Sequence, residues 1–351
     1  MRRAGGLKVG LVGCGRIAEL VHLNVLLRLP NVELIAFAEL DAKQRDRVQR
    51  RAPKAMAFAS YQELLQLPEL DAAVICLPPA LHAEAAIAAF EKGKHVYLEK
   101  PLATNLDDAK RVLAAWKKAN AVGMIGFNYR LNPLFRKVRE HVESGTLGPL
   151  VGVRSIFATA ATRMPGWKRA RNEGGGVLLE LASHHLDLLR FFFQQEICEI
   201  HAELKSYSSD DDSAMLHLRL ADGLAVQSFF SFTAIEEDRF EIFGQKGKLS
   251  VDRYRSSAVE CVEAGQEFSL VHRMRRGFSQ LSASAYSIRR HLATGQEPSY
   301  RPALEAFVLA VNGAAGIRPD LEDAYRCQEI IDAAERSARE RRIICLTNRE
   351  K

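Results

Sequence analysis

The sequence predicts an α/β fold: an N-terminal parallel sheet wound with helices on both faces, then an α+β domain with a large open, mostly antiparallel sheet. Three observations carry this reading. Residues 7–127 alternate short, nearly all-apolar runs with segments of helical period, the pattern of parallel strands covered on both faces. A glycine turn, Gly13-Cys14-Gly15-Arg16-Ile17-Ala18, joins the first apolar run to the first helical segment. Beyond Gly126 the rhythm changes to strand-like segments in succession, with turn residues such as Asp222-Gly223 between them, which marks hairpins rather than crossovers.

Taken in order, Leu7 to Val12 is a strand rich in branched residues, Glu19 to Leu29 a helix broken by Pro30-Asn31, and Val32 to Ala38 a second strand. Together they have the size of one strand–helix–strand unit. Helices follow over 41–52 and 61–65, then a strand from Ala72 to Leu77 closed by Pro78-Pro79. Ala83 to Phe90 is helical and stops at Gly93, a good C-terminal residue because it tolerates positive φ. His95 to Leu98 is a strand, Thr104 or Asn105 caps a helix running to Ala119, and Ala121 to Phe127 is one more strand. This defines a first, Rossmann-type domain over 1–125 and a second over 126–351. The second opens with a helix over 133–144. It continues with strands near 151–158, 197–206, 214–221, 224–232, 238–243 and 247–254, and with helices at 177–193 and 301–313. The last helix, about 320–340, starts at Asp320 and is a candidate to pack back on the first domain. Segment 272–291 carries Arg273, Arg275, Arg276, Arg289 and Arg290 and reads as a solvated excursion, with a phosphate or substrate contact as the alternative.

Composition narrows the function. A chain of 351 residues makes about two domains. With 47% apolar and 26% charged residues it is neither disordered throughout nor a small disulfide scaffold. Lys and Arg number 49 against 43 Asp and Glu, a net +6. That mild excess gives no reason to expect nucleic acid as a partner. The 6 cysteines form no CxxC pair, so no metal site is expected. No apolar stretch is long enough to span a membrane, and Lys8 interrupts the only N-terminal apolar run, so the reading is a cytoplasmic protein without membrane partners.

In the glycine turn, Gly13 permits the tight bend, Gly15 lets the backbone approach a pyrophosphate, and Ala18 lets the helix sit close to the sheet. Amides around Arg16 and Ile17 at the helix start would hold the phosphates. Glu39 closes the second strand, where a carboxylate accepts from ribose hydroxyls. It repels a 2′-phosphate and so favours NAD, with NADP as the alternative because Arg16, Lys43 and Arg45 are near in sequence. Glu99-Lys100-Pro101 puts a lysine outside the carboxyl end of a parallel strand, where such sheets bind ligands; an exposed lysine before a helical turn is the alternative. Gly174-Gly175-Gly176 precedes a helix on which Glu180, His184 and Asp187 share one face, with His185 to the side. Acid, imidazole and acid on an apolar helix either line a cleft or form a satisfied core network.

These landmarks together resemble the glucose–fructose oxidoreductase, inositol dehydrogenase and rhizopine catabolism protein family of NAD(P)-dependent oxidoreductases. The resemblance runs in order through Gly10-Leu-Val-Gly13-Cys-Gly15-Arg-Ile-Ala18, Asp71 to Pro78 with His82, Glu99-Lys100-Pro101, Gly126-Phe-Asn128-Tyr-Arg130, and Gly174 through Glu180, His184 and Asp187. It implies hydride transfer between nicotinamide and a secondary alcohol of a sugar, cyclic polyol or sugar derivative. The lysine and histidine of the family's reacting group correspond to Lys100 and His184; its aspartate is Glu180 here, one methylene longer. His184 would accept the hydroxyl proton and Lys100 would polarise the substrate oxygen, or the two would exchange roles. Leu77, Pro78, His82, Glu99, Lys100 and Asn128 would edge the cofactor, and Arg130, Trp167 and Asp187 the substrate. Arg163, Lys168, Arg169 and Arg171 would join Trp167 in a substrate-facing loop. The alternatives are a reductase of a keto-sugar, dihydrodiol or imine, and a dinucleotide-binding sensor or structural protein without turnover. A homodimer or homotetramer is expected through the second-domain sheet, where Leu216, Leu218 and Leu220, with Phe229, Phe230 and Phe232, offer an apolar face to a second copy; the alternative cover is the chain's own C-terminal helices.

Overall fold

The computed structural model describes residues 6–160, 164–265, 285–293, 295, 297–314, 316 and 318–346. They form two compact units, Met1–Leu131 with Ala293–Gln328, and Asn132–Leu292 with Glu329–Lys351.

Among the described residues the first unit holds six strands: β1 (Leu7–Val12), β2 (Val32–Ala38), β3 (Met56–Phe58), β4 (Ala72–Ile75), β5 (His95–Leu98) and β6 (Gly123–Ile125). All pair in parallel, in the order β3-β2-β1-β4-β5-β6. The order reverses between β1 and β4, the switch point outside whose carboxyl ends ligands bind. Because the strands are parallel, the glycine turn after β1, Leu77-Pro78 after β4 and Glu99-Lys100 after β5 leave the sheet at one edge. Side-chain caps fix two helix starts. Asp41 accepts from Gln44 N at 2.7 Å, and Asn105, one of the two cap candidates, accepts from Asp108 N at 2.9 Å. Residues 293–328 return to this unit. In their helix Tyr300–Val311, Ala303, Leu304 and Phe307 join the core of Leu11, Val74 and Tyr97, with Phe307 edge-on to Tyr97 at 5.8 Å.

The second unit holds β7 (Leu150–Ala158), β8 (Ile197–Lys205), β9 (Ser213–Leu220), β10 (Ala225–Ser231), β11 (Glu237–Gly244), β12 (Gly247–Asp252), β13 (Glu260–Glu263) and β14 (Ile344–Cys345). Their order is β13-β12-β11-β7-β10-β9-β8-β14, and only β7 and β10 pair in parallel among the described strands. Strand alternation sends Leu216, Leu218, Leu220, Phe230 and Phe232 to the face buried inside this unit. That apolar face is therefore covered by the chain itself. The opposite face carries Met215, His217, Arg219 and Gln227, exposed. Among the described residues no helix is long and apolar enough to cross a membrane.

The core of the second unit contains a polar chain. His185 is fully buried and stacks on Phe157 and Phe240, with ring centroids 5.3 and 4.2 Å away. Its Nε2 lies 3.0 Å from Asp238 Oδ1, and Asp238 Oδ2 accepts from Arg253 Nε at 2.7 Å. Burial pushes the His185 imidazole below its ordinary 6.5. Burial alone would raise the Asp238 carboxyl, but Arg253 and His185 outweigh it and hold it below the usual 3.8. Both groups bind fewer protons folded than unfolded as pH falls. Their contribution is full above pH 6.5 and declines below it, first as the unfolded chain protonates His185, then through the carboxylate range. The melting temperature is expected to fall continuously from neutral pH toward pH ~4; a flat profile across that window would contradict this assignment.

Candidate functional site

In the first unit, Gly13 has φ +80°, and a Cβ there would lie 2.9 Å from Cys76 O, so the bend requires glycine. Gly15 is different: a Cβ there would meet nothing within 4 Å, and the residue is exposed. The open space over Gly15 is the place a phosphate needs. The chain then enters a π turn, Ala18–His22, before the α turn Leu23–Leu26, where the sequence predicts one continuous α-helix; such wider turns recur at functional sites. Arg16 is exposed and Ile17 half-buried at its start.

Glu39 follows β2. Its Oε2 accepts from Cys14 N at 2.8 Å and its Oε1 from Asp41 N at 3.0 Å. Each carboxylate oxygen has a second lone pair to offer, so the carboxylate is fixed by the backbone and can still receive ribose hydroxyls. The Arg45 guanidinium donates to Glu39 O at 2.7 Å and Leu40 O at 3.2 Å. This turns it to the backbone rather than toward a 2′-phosphate. Burial, with Glu39 and Glu19 adding to it, pushes the Cys14 thiol up to about 12, so the turn offers no thiolate nucleophile.

Lys100 is half-buried, its peptide to Pro101 is cis, and its backbone N–H donates to Glu99 Oε2 at 3.3 Å. Glu99 is buried. His82 is buried between two carbonyls, Nδ1 2.6 Å from Pro101 O and Nε2 2.8 Å from Leu77 O. Burial lowers its pKa although both carbonyls and Glu99 pull the other way; a neutral ring donates to one carbonyl at a time. His82 thus ties the loop after β4, with Leu77 half-buried and Pro78 exposed, to the Lys100-Pro101 segment. Asn128 donates to Ser299 Oγ at 2.7 Å, and Ser299 donates on to Glu297. Arg130, expected near the substrate, is buried and pairs with Asp323 at 3.1 Å.

In the second unit, Glu180, His184, His185 and Asp187 are all buried on the helix formed by the π turn Leu178–Ala182 and the α segment Ser183–Phe193. This helix is buried nearly all round, its polar side chains included. Glu180 Oε2 lies 2.6 Å from Lys168 Nζ, and that ammonium also lies 5.2 Å from the Trp167 ring centroid. The glycine run explains the approach. A Cβ on Gly175 would lie 2.7 Å from Trp167 O and closer still to Lys168 O, so only glycine lets the 167–168 backbone lie against it. Gly174 and Gly176 take φ +93° and +90°. Arg171 pairs with Glu335 at 2.5 Å. Arg163, Arg273, Arg275 and Arg276 lie outside the described residues. Arg290 donates to the carbonyls of Arg253 and Tyr254. The sequence places Lys168 in a substrate-facing loop without pairing it with Glu180, and it misses Asp238, Arg253 and His22, whose partners lie 15 to 77 residues away.

Residues 7–127 match the family described as "Oxidoreductase family, NAD-binding Rossmann fold", and residues 135–250 match "GFO/IDH/MocA C-terminal domain". The chain is 29% identical over 262 residues to myo-inositol 2-dehydrogenase of Thermotoga maritima, covering 72% of this chain and 77% of that protein. It is 23% identical over 351 residues to inositol 2-dehydrogenase of Rhizobium meliloti, covering 97% and 99%. Its fold is that of the WlbA dehydrogenase from Bordetella pertussis, solved in complex with NADH and UDP-GlcNAcA (TM-score 0.84, 21% identity, 98% and 99% covered).

Proposed function

The chain belongs to the GFO/IDH/MocA oxidoreductase family, and from that premise we propose that it oxidises a CH–OH group of a sugar, cyclic polyol or sugar derivative with NAD, or runs the reverse reduction. The observation that carries the proposal is Lys100 at the carboxyl edge of the parallel sheet, the edge that also bears the glycine turn and Glu39. Bound nicotinamide supplies the acceptor for the hydride that leaves the carbinol carbon, and the donor in the other direction. Gly13, Gly15, Arg16 and Ile17 bind the pyrophosphate and Glu39 the ribose. Lys100 holds and polarises the substrate oxygen. His184 accepts the hydroxyl proton and returns it in reverse. Glu180, braced by Lys168, orients His184 or holds a neighbouring hydroxyl; the brace takes up the extra methylene relative to aspartate. Trp167 offers a ring face to the sugar. Asn128 and Arg130 support the carboxyl edge of the first unit through Ser299 and Asp323.

The test is a panel of inositols, anhydrosugars and nucleotide sugars incubated with NAD, following reduced nicotinamide. Turnover of at least one member supports the reading. A protein that binds dinucleotide but turns over none, in either direction, would be the non-catalytic sensor.

NAD is proposed over NADP because Glu39 is held in place and Arg45 is engaged by carbonyls. A 2′-phosphate against the carboxylate costs several kcal/mol, so NADH should bind at least about tenfold more tightly than NADPH in parallel titrations. Equal affinities would mean that Arg16 or Lys43 offsets Glu39. Self-association is proposed on the open sheet face, where Val151 is 63% and Met215 42% exposed around a depression lined by Arg154, His201, His217 and Gln227. Sedimentation of a dimer or tetramer that Met215→Lys dissociates would support this; a wild-type monomer would oppose it.

A further inference from the structure

His22 ends the π turn that follows the glycine loop, and no role above uses it. Its ring is fully buried, with Nε2 2.6 Å from Glu99 Oε1. The other Glu99 oxygen accepts from the Lys100 backbone N–H. The rings of Tyr97 and Tyr300 flank the imidazole at 5.6 and 6.0 Å. His22 Nδ1 has no hydrogen-bond partner among the described residues. This selects the tautomer: the proton sits on Nε2 and is given to the carboxylate, while Nδ1 keeps a lone pair rather than an unmet donor. Glu99 is also packed in place, since a Cβ on Gly126 would lie 3.0 Å from its Oε2.

A buried acid and imidazole are costly to desolvate, and an apolar pair of the same volume would pack here without that cost. The pair joins two segments 77 residues apart: the helix after the glycine turn, and the strand end that presents Lys100. We propose that His22 is a positioning residue, which through Glu99 sets the backbone of Lys100 relative to the dinucleotide-binding turn. The inference rests on the reading of Lys100 as the group that polarises the substrate oxygen. On the far side of Lys100, His82 holds Pro101 O, so the segment is gripped at both ends by a buried imidazole.

The test compares His22→Leu, which keeps the bulk and deletes the donor, with His22→Gln, which returns an N–H near the Nε2 position. Misplacement of a reacting group by ~1 Å costs about 100-fold. His22→Leu should therefore lower kcat roughly 30- to 100-fold while KM and the Kd for NADH stay within about twofold. His22→Gln should recover kcat to within about fivefold of wild type. A second readout needs no turnover: the rate at which an amine-acylating reagent modifies Lys100, followed by peptide mass spectrometry with and without NADH. It should change severalfold in His22→Leu and return in His22→Gln. Wild-type kcat and acylation in His22→Leu, a loss of kcat without a change in acylation, or equal defects in the two variants would each overturn the proposal. If His22→Leu does not fold, His22→Met, which is also of similar bulk and has no N–H to donate, carries the same expectations and the same refutations. Absence of wild-type turnover, or full turnover by Lys100→Ala, would defeat the functional reading instead; the acylation rates would still decide the part played by His22.

Discussion

Lys100→Ala should lower turnover by about 1,000-fold or more while NADH binding stays within about twofold of wild type. Two backbone groups of this segment are held by side chains other than that of Lys100. Its backbone N–H is taken by Glu99, and the next carbonyl, that of Pro101, by His82. Truncation therefore removes the group that stabilises charge on the substrate oxygen and leaves the segment where it is. Dinucleotide contacts assigned to Gly13, Gly15 and Glu39 are made by other segments, which is why binding should survive. Lys100→Arg keeps a positive charge but spreads it over a longer, planar group, and should recover only a small part of the loss. Unaltered turnover in Lys100→Ala would remove the lysine from the reaction.

Asp238→Ala should destabilise the protein by about 3–5 kcal/mol in urea unfolding, a large part of the 5–15 kcal/mol typical of a folded domain. Asp238 is fully buried and is the partner of both His185 and Arg253, and Arg253 is 7% exposed. Removing the carboxylate takes the anion at 2.7 Å away from a guanidinium in the core that faces the rings of Phe157 and Tyr254. The sign of the double variant separates this cause from simple loss of packing. Asp238→Ala with Arg253→Met should regain much of the loss, because removing a whole buried pair is far milder than breaking it. A single-variant loss under about 1 kcal/mol would place the pair among weak, solvent-screened contacts. The consequence reaches the proposed chemistry, because His185 is adjacent to His184 on the helix that carries Glu180.

Much of the first unit was legible because its signals are local. The glycine turn needs Gly13 at positive φ, the helix after β5 needs a cap such as Asn105, and apolar runs read directly as buried parallel strands. The short strands β3 and β14 gave no such signal, being three and two residues long. The apolar face of β9 was visible as alternation, but alternation does not say what covers it; the chain itself does. Nor did a helical wheel foresee the π turns at Ala18–His22 and Leu178–Ala182, since both sequences carry an ordinary helical pattern. In the candidate site, Lys100, Glu180 and His184 stood out by type and spacing. Their supports did not. Lys168 meets Glu180 because a glycine permits a close approach, and His22 meets Glu99 across 77 residues. Pairings of that kind are set by tertiary packing and leave no mark in a local window.

The most direct test of the central claim follows a deuterium atom. A polyol that the protein turns over, labelled at the carbinol carbon, is incubated with NAD, and the reduced dinucleotide is analysed by mass spectrometry. The label should appear in the reduced nicotinamide with wild-type protein, and its rate of appearance should collapse in Lys100→Ala. Reduced dinucleotide without the label, or labelled product formed as fast by Lys100→Ala, would contradict it.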